Sequence, residues 1–269
     1  MAAATRWALV TGGNRGLGLA VCKELAGRGK SVILTTRDTA AGQKAAEEVR
    51  AAAKEGAKVE VLELEAADAA SRARLASAVA SRFDRSVDLL VVNAGIIHKT
   101  WTPEGFAQSA AVNFGGAVDT ALAVAPHLAE GAVVIFVSST LGQLSKLSPD
   151  YAEPISSAKN LGELRAAAAR FDPSSPMPAH NTYSPDYSVS KAALNRAVQL
   201  MAADGALRPA GAAAAVCPGW CRTDMGTSAA DRSAEEGAAS ILAPWYRAAK
   251  EGAAAVNGSF TRDGEVIEW

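Results

Sequence analysis

Cysteine, long hydrophobic runs and an excess of either charge are all scarce in this 269-residue sequence, and each absence excludes a class of protein. Three scattered cysteines cannot build a disulfide framework, and no histidine or cysteine cluster predicts a metal site. No apolar run approaches the roughly 20 residues that a membrane helix needs. The formal net charge of −1 argues against a basic surface. We therefore expect no metal, no nucleic-acid partner and no membrane partner.

The amino terminus also lacks the charged, apolar and cleavage segments of a signal peptide, so we expect a cytoplasmic protein. The hydrophobic fraction of 49% is enough to fill a sizeable core. No linker and no internal repeat interrupts the chain. Residues 1–269 are therefore predicted to form a single domain.

Short apolar runs alternate with longer alanine-rich segments along the chain. The runs are continuously apolar, as is typical of strands buried on both faces of a parallel sheet. Strands are expected at 7–11, 32–36, 59–62, 89–92, 133–138 and 213–217, and helices at about 16–28, 39–54, 68–83, 104–129 and 186–204. This alternation predicts an α/β protein with a doubly wound Rossmann fold, in which a mostly parallel central sheet of about seven strands has helices on both faces.

One segment, at about 140–184, breaks this alternation and is expected to be an insertion in the domain. A short helix is predicted within it at 161–170. The proline-rich stretch 172–184, which includes Tyr183, is predicted to be a loop that covers part of the site.

A glycine-rich loop, Thr-Gly-Gly-Asn-Arg-Gly-Leu-Gly at 11–18, connects the first predicted strand to the first predicted helix. Glycines let the backbone approach a pyrophosphate, and the free N–H groups at a helix N-terminus bind it. The alternative is a glycine-rich turn without a ligand. The candidate cofactor-binding residues of this loop are Gly12, Asn14, Arg15, Gly16, Leu17 and Gly18.

The end of the second strand bears on the choice of cofactor. An acidic residue there binds the ribose hydroxyls of NAD, whereas an arginine suits the 2′-phosphate of NADP. Arg37 is the first loop residue and Arg15 could reach the same phosphate, so we favour NADP (NADPH). Asp38 is then interpreted as the cap of the following helix. The alternative is that Arg37 is only a solvated loop residue.

Five further motifs follow the glycine loop. They are Asn93-Ala94-Gly95 after the fourth strand, Asn113 in the next helix, Ser138-Ser139 at the end of the fifth strand, Tyr187-Ser-Val-Ser-Lys191 at the start of a helix, and Pro218-Gly219 after the sixth strand. With these motifs in this order, the sequence resembles the short-chain dehydrogenase/reductase family over essentially its whole length.

The Tyr187 and Lys191 pair carries the predicted chemistry. The two residues are four apart, so on a helix they share one face. A neighbouring ammonium favours the phenolate, and we expect Lys191 to lower the pKa of Tyr187 from about 10. The resemblance implies that Tyr187 donates a proton to the substrate oxygen and that Ser139 hydrogen-bonds the same oxygen. It also implies that Lys191 holds the nicotinamide ribose and that Asn113 supports a water-linked proton path to Lys191.

Ser138 is the alternative to Ser139, because side chains alternate along a strand and only one of the two faces the site. The family pattern favours Ser139. The remaining candidate cofactor-binding residues are Asn93, Ala94, Gly95, Tyr187, Lys191, Pro218, Gly219 and Thr223.

The resemblance narrows to the carbonyl-reductase-like branch of the family. The similar segments are 11–16, 36–38, 217–225, 235–238 and the terminal Trp269. That branch implies reduction of ketones, aldehydes or quinones with NADPH. Its insertion between the serine and the tyrosine covers the helix face that other members use to oligomerise, which implies a monomer. Plant menthone- and alkaloid-reducing enzymes look similar.

Two positions depart from the family pattern. Val92 stands where the family usually has an asparagine, and we expect this to change how the central strand is tied to its neighbours. Glu63 stands where an aspartate usually contacts the adenine, and it remains a candidate for that contact.

Open α/β sheets bind ligands beyond the carboxyl ends of their strands. The candidate substrate residues there are Ile97, His98, Leu141, Trp220 and Met225. Trp220 and Met225 would form an apolar, adaptable wall. The alternative for each of these residues is ordinary loop packing.

The sequence therefore predicts an oxidoreductase that transfers a hydride from NADPH to a small-molecule ketone, aldehyde or quinone, with Tyr187 as proton donor. One alternative is an NAD(P)-linked alcohol dehydrogenase of a specialised metabolite. Another is a non-catalytic dinucleotide-binding protein, which the retention of Ser139, Tyr187 and Lys191 together disfavours.

Overall fold

One eight-stranded sheet lies at the centre of the protein, whose structure is a computed structural model that describes residues 5–98, 101–170 and 184–269. The strands are β1 (Trp7–Val10), β2 (Ser31–Thr36), β3 (Val59–Glu63), β4 (Val87–Val92), β5 (Leu128–Val137), β6 (Ala212–Val216), β7 (Phe260–Arg262) and β8 (Glu265–Val266). Their order is β3-β2-β1-β4-β5-β6-β7-β8. All neighbours pair in parallel except β7 and β8.

The direction of chain progression reverses between β1 and β4. In open α/β sheets this switch point is where ligands bind, at the carboxyl ends of the strands. The glycine loop follows β1, and the 93–98 loop follows β4. The sheet order therefore brings the two loops to the same crevice.

Helices cover both faces of this sheet. They are α1 (Gly16–Gly27), α2 (Thr39–Ala52), α3 (Ala69–Phe83), α4 (Pro103–Ser109), α5 (Ala117–Val124), α6 (Pro149–Ser157), α7 (Leu161–Ala168), α8 (Pro185–Asp204) and α9 (Ala234–Glu251). A π-helical segment, Ala110–Gly116, joins α4 to α5. Alternate β1 residues pack on opposite faces: Leu9 lies in the core cluster with α3, α5 and α8, and Ala8 lies in the cluster with α1, α2 and α9. Within the described ranges, no helix has the length and apolarity to span a bilayer.

The predicted fold class and all six predicted strands are confirmed. The helix predicted at 104–129 is wrong in two respects: its middle is π-helical, and β5 has already begun at Leu128. The early start of β5 goes with an irregularity in its pairing with β4. Val87 pairs with Leu128 and Leu89 with Val133, so β5 has extra residues between these two pairs. Asp38 caps α2, as predicted, by accepting hydrogen bonds from the N–H groups of Ala40 and Ala41.

The described part of the insertion forms α6 and α7, which lie against α5 and α8. Arg165 of α7 forms an ion pair with Asp119 of α5. Arg196 of α8 donates to the carbonyl of Ala158, between α6 and α7, at 2.8 Å. The predicted helix at 161–170 is confirmed, whereas α6 was not expected. Tyr183 and most of the 172–184 loop lie outside the described residues.

Candidate active site

The start of α8 places Tyr187 at the switch-point crevice. Pro185 is the first helical residue, where its missing N–H is not needed. The Ser184 hydroxyl donates to the carbonyl of His98 at 2.5 Å, which ties α8 to the loop after β4. The Ser109 hydroxyl donates to the buried carboxylate of Asp186 at 2.5 Å, which ties α8 to the end of α4. The tyrosine is therefore carried by a helix end that is held on two sides.

Ser139, rather than Ser138, lies beside Tyr187. The Ser139 side chain lies near enough to the tyrosine to oppose the rise of its pKa, and its oxygen accepts from the N–H of Leu141 at 3.1 Å. Ser138 instead donates to the side-chain oxygen of Asn195 at 2.5 Å. The two serines therefore contact α8 at different residues, Ser139 near Tyr187 and Ser138 two turns further along at Asn195.

The pKa values of Tyr187 and Lys191 differ from the expectation. Burial raises the pKa of Tyr187 above its ordinary value, the nearby Cys217 thiol adds to this, and the Ser139 hydrogen bond opposes it. Burial also lowers the pKa of Lys191 to about 8. The predicted lowering of the Tyr187 pKa by Lys191 is wrong for this structure, because both groups are buried and the lysine donates to the carbonyl of Val137 at 2.7 Å. The ammonium lies 5.6 Å from the tyrosine ring centroid.

Asn113 lies in the π-helical segment, fully buried. Its side chain donates to the carbonyl of Ile96 at 2.9 Å and to the Ser190 hydroxyl at 3.1 Å, and accepts from the N–H of Ile96 at 2.8 Å. A Cβ atom on Gly95 would lie 3.1 Å from the Asn113 side-chain oxygen and 3.8 Å from the Lys191 ammonium. The side chains of Asn113 and Lys191 therefore both lie close to Gly95. The π-helical turn that carries Asn113 is a local structure often found at functional sites.

The glycine loop fits a pyrophosphate. Gly12 and Gly16 have φ values of +64° and +54°, and a Cβ atom on Gly18 would lie only 2.2 Å from the carbonyl oxygen of Gly12. Arg15 precedes α1 without capping it, whereas the starts of α2 and α3 are capped by aspartates. The first N–H groups of α1 therefore have no side-chain cap and suit an anionic ligand.

The loop is also tied to the segment after β4. The Thr11 hydroxyl accepts from the N–H groups of Asn93 and Ala94 at 2.9 and 3.0 Å. The Asn93 amide donates back to the carbonyls of Thr11 and Gly12 at 2.9 and 3.2 Å. Asn93 and Thr11 join β1 to β4 in this way. The asparagine side chain that the family usually has at the position of Val92 is therefore not required for this connection.

Arg15 and Arg37 both lie at the surface and are each paired with a carboxylate. Arg15 is 2.9 Å from Asp224, and Arg37 is 3.3 Å from Glu65. The arginine side chains are 67% and 64% exposed, which leaves both free to rearrange toward a phosphate. Glu63, at the end of β3, is exposed and pairs with Arg74 at 3.3 Å.

The loop after β6 lies over the glycine loop. A Cβ atom on Gly16 would meet the Thr223 methyl group at 3.3 Å. Leu17 and Pro218 both lie next to Gly237 at the start of α9, where an added Cβ atom would be 2.5 Å from the Leu17 side chain and 3.6 Å from that of Pro218. Gly219 has a φ of +81° and redirects the chain after Pro218. Pro218, Gly219 and Thr223 therefore lie on the segment that borders the glycine loop, while Asn14 lies half-buried within that loop.

The candidate substrate residues fall on three segments. Ile97 and His98 follow β4, Leu141 lies in the short turn after β5, and Trp220 and Met225 lie in the loop after β6. Trp220 and Met225 are 53% and 40% exposed. The side-chain Nε2 atom of His98 is buried and has no hydrogen-bond partner among residues 5–98, 101–170 and 184–269.

Two polar residues of the site were missed in the sequence analysis. Thr11 was treated only as the start of the glycine loop, although its hydroxyl joins the loops after β1 and β4. Asn195 was not considered at all. Its position four residues after Lys191, on the face that carries Tyr187, is the signal that identifies it.

Comparison with known proteins adds three findings. A family profile described as short chain dehydrogenase matches residues 6–152. The chain is 31% identical to the (+)-neomenthol dehydrogenase of Arabidopsis thaliana over 87% of this chain and 89% of that protein. It is also 31% identical to carbonyl reductase (NADPH) 1 of Sus scrofa over 100% of this chain and 96% of that protein.

A solved structure supports the same likeness. Menthone neomenthol reductase from Mentha piperita has a TM-score of 0.78 and 25% sequence identity, with coverage of 98% of this chain and 100% of that chain. The likeness therefore extends over nearly the whole length of both chains.

Proposed function

The chain belongs to the short-chain dehydrogenase family, in its carbonyl-reductase-like branch, and from this premise we propose that it reduces a ketone, aldehyde or quinone to the alcohol with NADPH. The family makes it an NADP-dependent oxidoreductase that acts on CH–OH and C=O groups. The single observation that carries the proposal is the grouping of Ser139 and Lys191 around Tyr187: the serine side chain lies beside the phenol, and the lysine ammonium lies 5.6 Å from the tyrosine ring centroid.

In the proposed reaction Ser139 and Tyr187 bind the substrate oxygen. Bound NADPH supplies the hydride that is added to the carbonyl carbon. As negative charge develops on the oxygen, the Tyr187 hydroxyl donates its proton and the Ser139 hydroxyl stabilises the charge. The product is the alcohol. The raised pKa of Tyr187 keeps the phenol protonated at neutral pH, which suits a proton donor.

Lys191 and Asn113 are proposed to restore the proton. Lys191, with a pKa lowered to about 8, is able to exchange protons near neutral pH. Asn113 approaches the same point across Gly95 and holds Ile96 in place. Lys191 would also bind the nicotinamide ribose.

The residues that would hold NADPH are proposed to be those of the glycine loop, the 93–95 segment and the 218–223 segment, with Glu63 a candidate at the adenine. Arg15 and Arg37 would exchange Asp224 and Glu65 for the 2′-phosphate. Trp220 and Met225 would provide an apolar wall for the substrate, beside Ile97, His98 and Leu141.

We also infer a monomer from the insertion. Helices α6 and α7 pack against α5 and α8 and occupy faces through which a second copy would otherwise dock. A single domain spanning 1–269 and a cytoplasmic location remain predictions of the sequence. Size-exclusion chromatography with light scattering would test the monomer.

The proposal is tested by following NADPH consumption with an aromatic aldehyde, a quinone, a cyclic ketone and an α-dicarbonyl, each in parallel with NADH. Turnover with NADPH and weak turnover with NADH are expected. A cyclic terpenoid ketone belongs in the panel, because the relatives include a neomenthol dehydrogenase, and preferred oxidation of the corresponding alcohol would favour the dehydrogenase alternative. NADPH binding without turnover of any carbonyl or alcohol would favour the non-catalytic alternative.

A further inference from the structure

A third polar residue continues the line of Tyr187 and Lys191 along α8. Asn195 follows Lys191 by four residues, just as Lys191 follows Tyr187, so the three side chains share one face of the helix. Asn195 is only 2% exposed. A buried amide needs hydrogen-bond partners, and those that it has indicate what it holds in place.

Both ends of the Asn195 amide are bound to the segment that carries Ser139. Its oxygen accepts from the Ser138 hydroxyl at 2.5 Å. Its nitrogen donates to the carbonyl of Gly142 at 3.1 Å. The two partners stand on either side of Ser139 in the chain, one directly before it and one three residues after it.

The helix holds the same segment at a third point. The Lys191 ammonium donates to the carbonyl of Val137 at 2.7 Å. The backbones also touch, because a Cβ atom on Gly142 would lie only 2.5 Å from the carbonyl carbon of Lys191. The segment 137–142 is therefore fixed to α8 before and after Ser139, through Lys191 and Asn195.

This arrangement fixes the distance between two side chains on different elements. Tyr187 is carried by α8 and Ser139 by the turn after β5, and their joint action on one substrate oxygen requires a constant separation. Apolar packing alone would leave the turn free to slide, since apolar contacts are not directional. Two hydrogen bonds to one rigid amide set both the position and the direction of the turn.

We propose that Asn195 is a positioning residue, which holds Ser139 beside Tyr187 through Ser138 and Gly142. The inference rests on the proposed role of Ser139 in carbonyl reduction. Asn195 does not reach the substrate, so it acts only through the geometry of its two partners.

The test is a double-mutant cycle in the full-length enzyme. Asn195→Leu removes both hydrogen bonds at nearly constant volume, Ser139→Ala removes the positioned group, and the double variant combines them. Asn257→Leu is the control, because the Asn257 amide likewise bridges two segments, Ala213 and Ala202, at the far end of α8. Steady-state kcat and KM, NADPH affinity and thermal unfolding are measured for each protein.

Asn195→Leu is expected to lower kcat by roughly tenfold or more, since small misplacements of reacting groups are costly. NADPH affinity should stay within about twofold of the wild type, and Asn257→Leu should retain its kcat. In the Ser139→Ala background, Asn195→Leu should lower kcat by less than about twofold, because the hydroxyl that Asn195 positions is no longer there. An equal loss of kcat in both backgrounds, or an unchanged kcat in Asn195→Leu, would overturn the proposal.

If Asn195→Leu does not fold, Ser138→Ala replaces it in the cycle, since this change removes the partner of the Asn195 oxygen. A loss of kcat that disappears in the Ser139→Ala background supports the proposal, and a loss that persists overturns it. Failure of the proposed function is recognised separately. In that case Ser139→Ala alone retains wild-type activity, whereas failure of the Asn195 inference leaves the Ser139→Ala loss intact.

Discussion

Around the glycine loop the side chains of Arg15 and Arg37 lie in solvent, whereas the polar side chains on the Tyr187 face of α8 are buried. Arg15 and Arg37 are about two-thirds exposed and each pairs with a carboxylate. Lys191 and Asn195 are less than 5% exposed, and they hydrogen-bond to backbone or hydroxyl groups of the 137–142 segment. Exposed ion pairs are easily exchanged, whereas buried hydrogen bonds fix positions. The cofactor side is therefore built to rearrange and the reacting side to stay in place.

The largest effect on the cofactor side is expected from Gly18→Ala. The added methyl group would lie 2.2 Å from the carbonyl oxygen of Gly12, so the glycine loop must move and its N–H groups lose their alignment. We expect NADPH affinity to fall about 100-fold or more, measured by fluorescence titration. Gly27→Ala, at the other end of α1, is the control, because its nearest contact is 3.3 Å. Unchanged affinity in Gly18→Ala would show that the loop does not bind the pyrophosphate.

Removal of Arg37 should have the next largest effect and should affect one cofactor only. Charge-assisted hydrogen bonds to a phosphate contribute about 1.5–3 kcal/mol, so Arg37→Ala is expected to lower NADPH affinity roughly 10- to 100-fold. NADH lacks the 2′-phosphate, and its affinity should change by less than about twofold. Equal losses of NADPH and NADH affinity would show that Arg37 has a structural role. They would contradict the view that the exposed arginines exchange their partners for the 2′-phosphate, unlike the buried residues of α8.

The pH dependence tests the buried side. Because burial lowers the pKa of Lys191 to about 8, the ammonium loses its proton as the pH rises through that value. If the charged form is required, kcat/KM for reduction at saturating NADPH falls about tenfold per pH unit above 8 and is flat below it. A profile that stays flat from pH 7 to about 10 would contradict this.

The free energy of unfolding should rise with pH over the range in which kcat/KM falls. An unfolded lysine titrates near pH 10.4, so between pH 8 and about 10.4 the unfolded chain binds more protons at this residue than the folded one. The contribution of Lys191 to the free energy of unfolding therefore rises with pH in that window. Chemical denaturation of wild type and Lys191→Met across the window measures this difference. The free energy of unfolding of the wild type minus that of Lys191→Met is expected to rise with pH, and a difference that falls as the pH rises would contradict the assigned pKa shift.

The smallest expected effect comes from the carboxylate partners of the arginines. Asp224→Asn and Glu65→Gln release Arg15 and Arg37 from exposed ion pairs that are worth little in water. NADPH affinity is expected to rise about two- to fivefold at low salt, with the gain disappearing at high salt. Lower affinity in either variant would mean that the carboxylate helps to orient its arginine for the phosphate.

Several elements that the sequence analysis missed had local signals. The helix at 234–251 begins with a capping box, in which the Ser233 and Glu236 side chains each bond the other residue's backbone N–H. The β7–β8 hairpin is marked by Asp263-Gly264, the dipeptide of a tight turn, with φ values of +54° and +85°. The six predicted strands were recognisable because their apolar runs, although short, are nearly continuous.

The errors at the site have a different origin, because they depend on contacts between distant parts of the chain. The pKa of Tyr187 is raised by burial that α8 acquires only when it packs against β5 and β6. The different hydrogen-bond partners of Ser138 and Ser139 are seen only in the three-dimensional structure. The roles of the site residues were available from the motif order, but the bonds that hold them, such as those of Asn195, were not.

The central claim is that NADPH binds on one side of the site and that Tyr187 protonates the substrate on the other. Single-turnover reduction by the Tyr187→Phe variant, with NADPH affinity measured on the same sample, tests it most directly. The account predicts that NADPH affinity stays within about twofold of the wild type while the rate falls roughly 100- to 10,000-fold, the usual contribution of general acid catalysis. A rate within a fewfold of the wild type would contradict the account, because the proton would then come from another group.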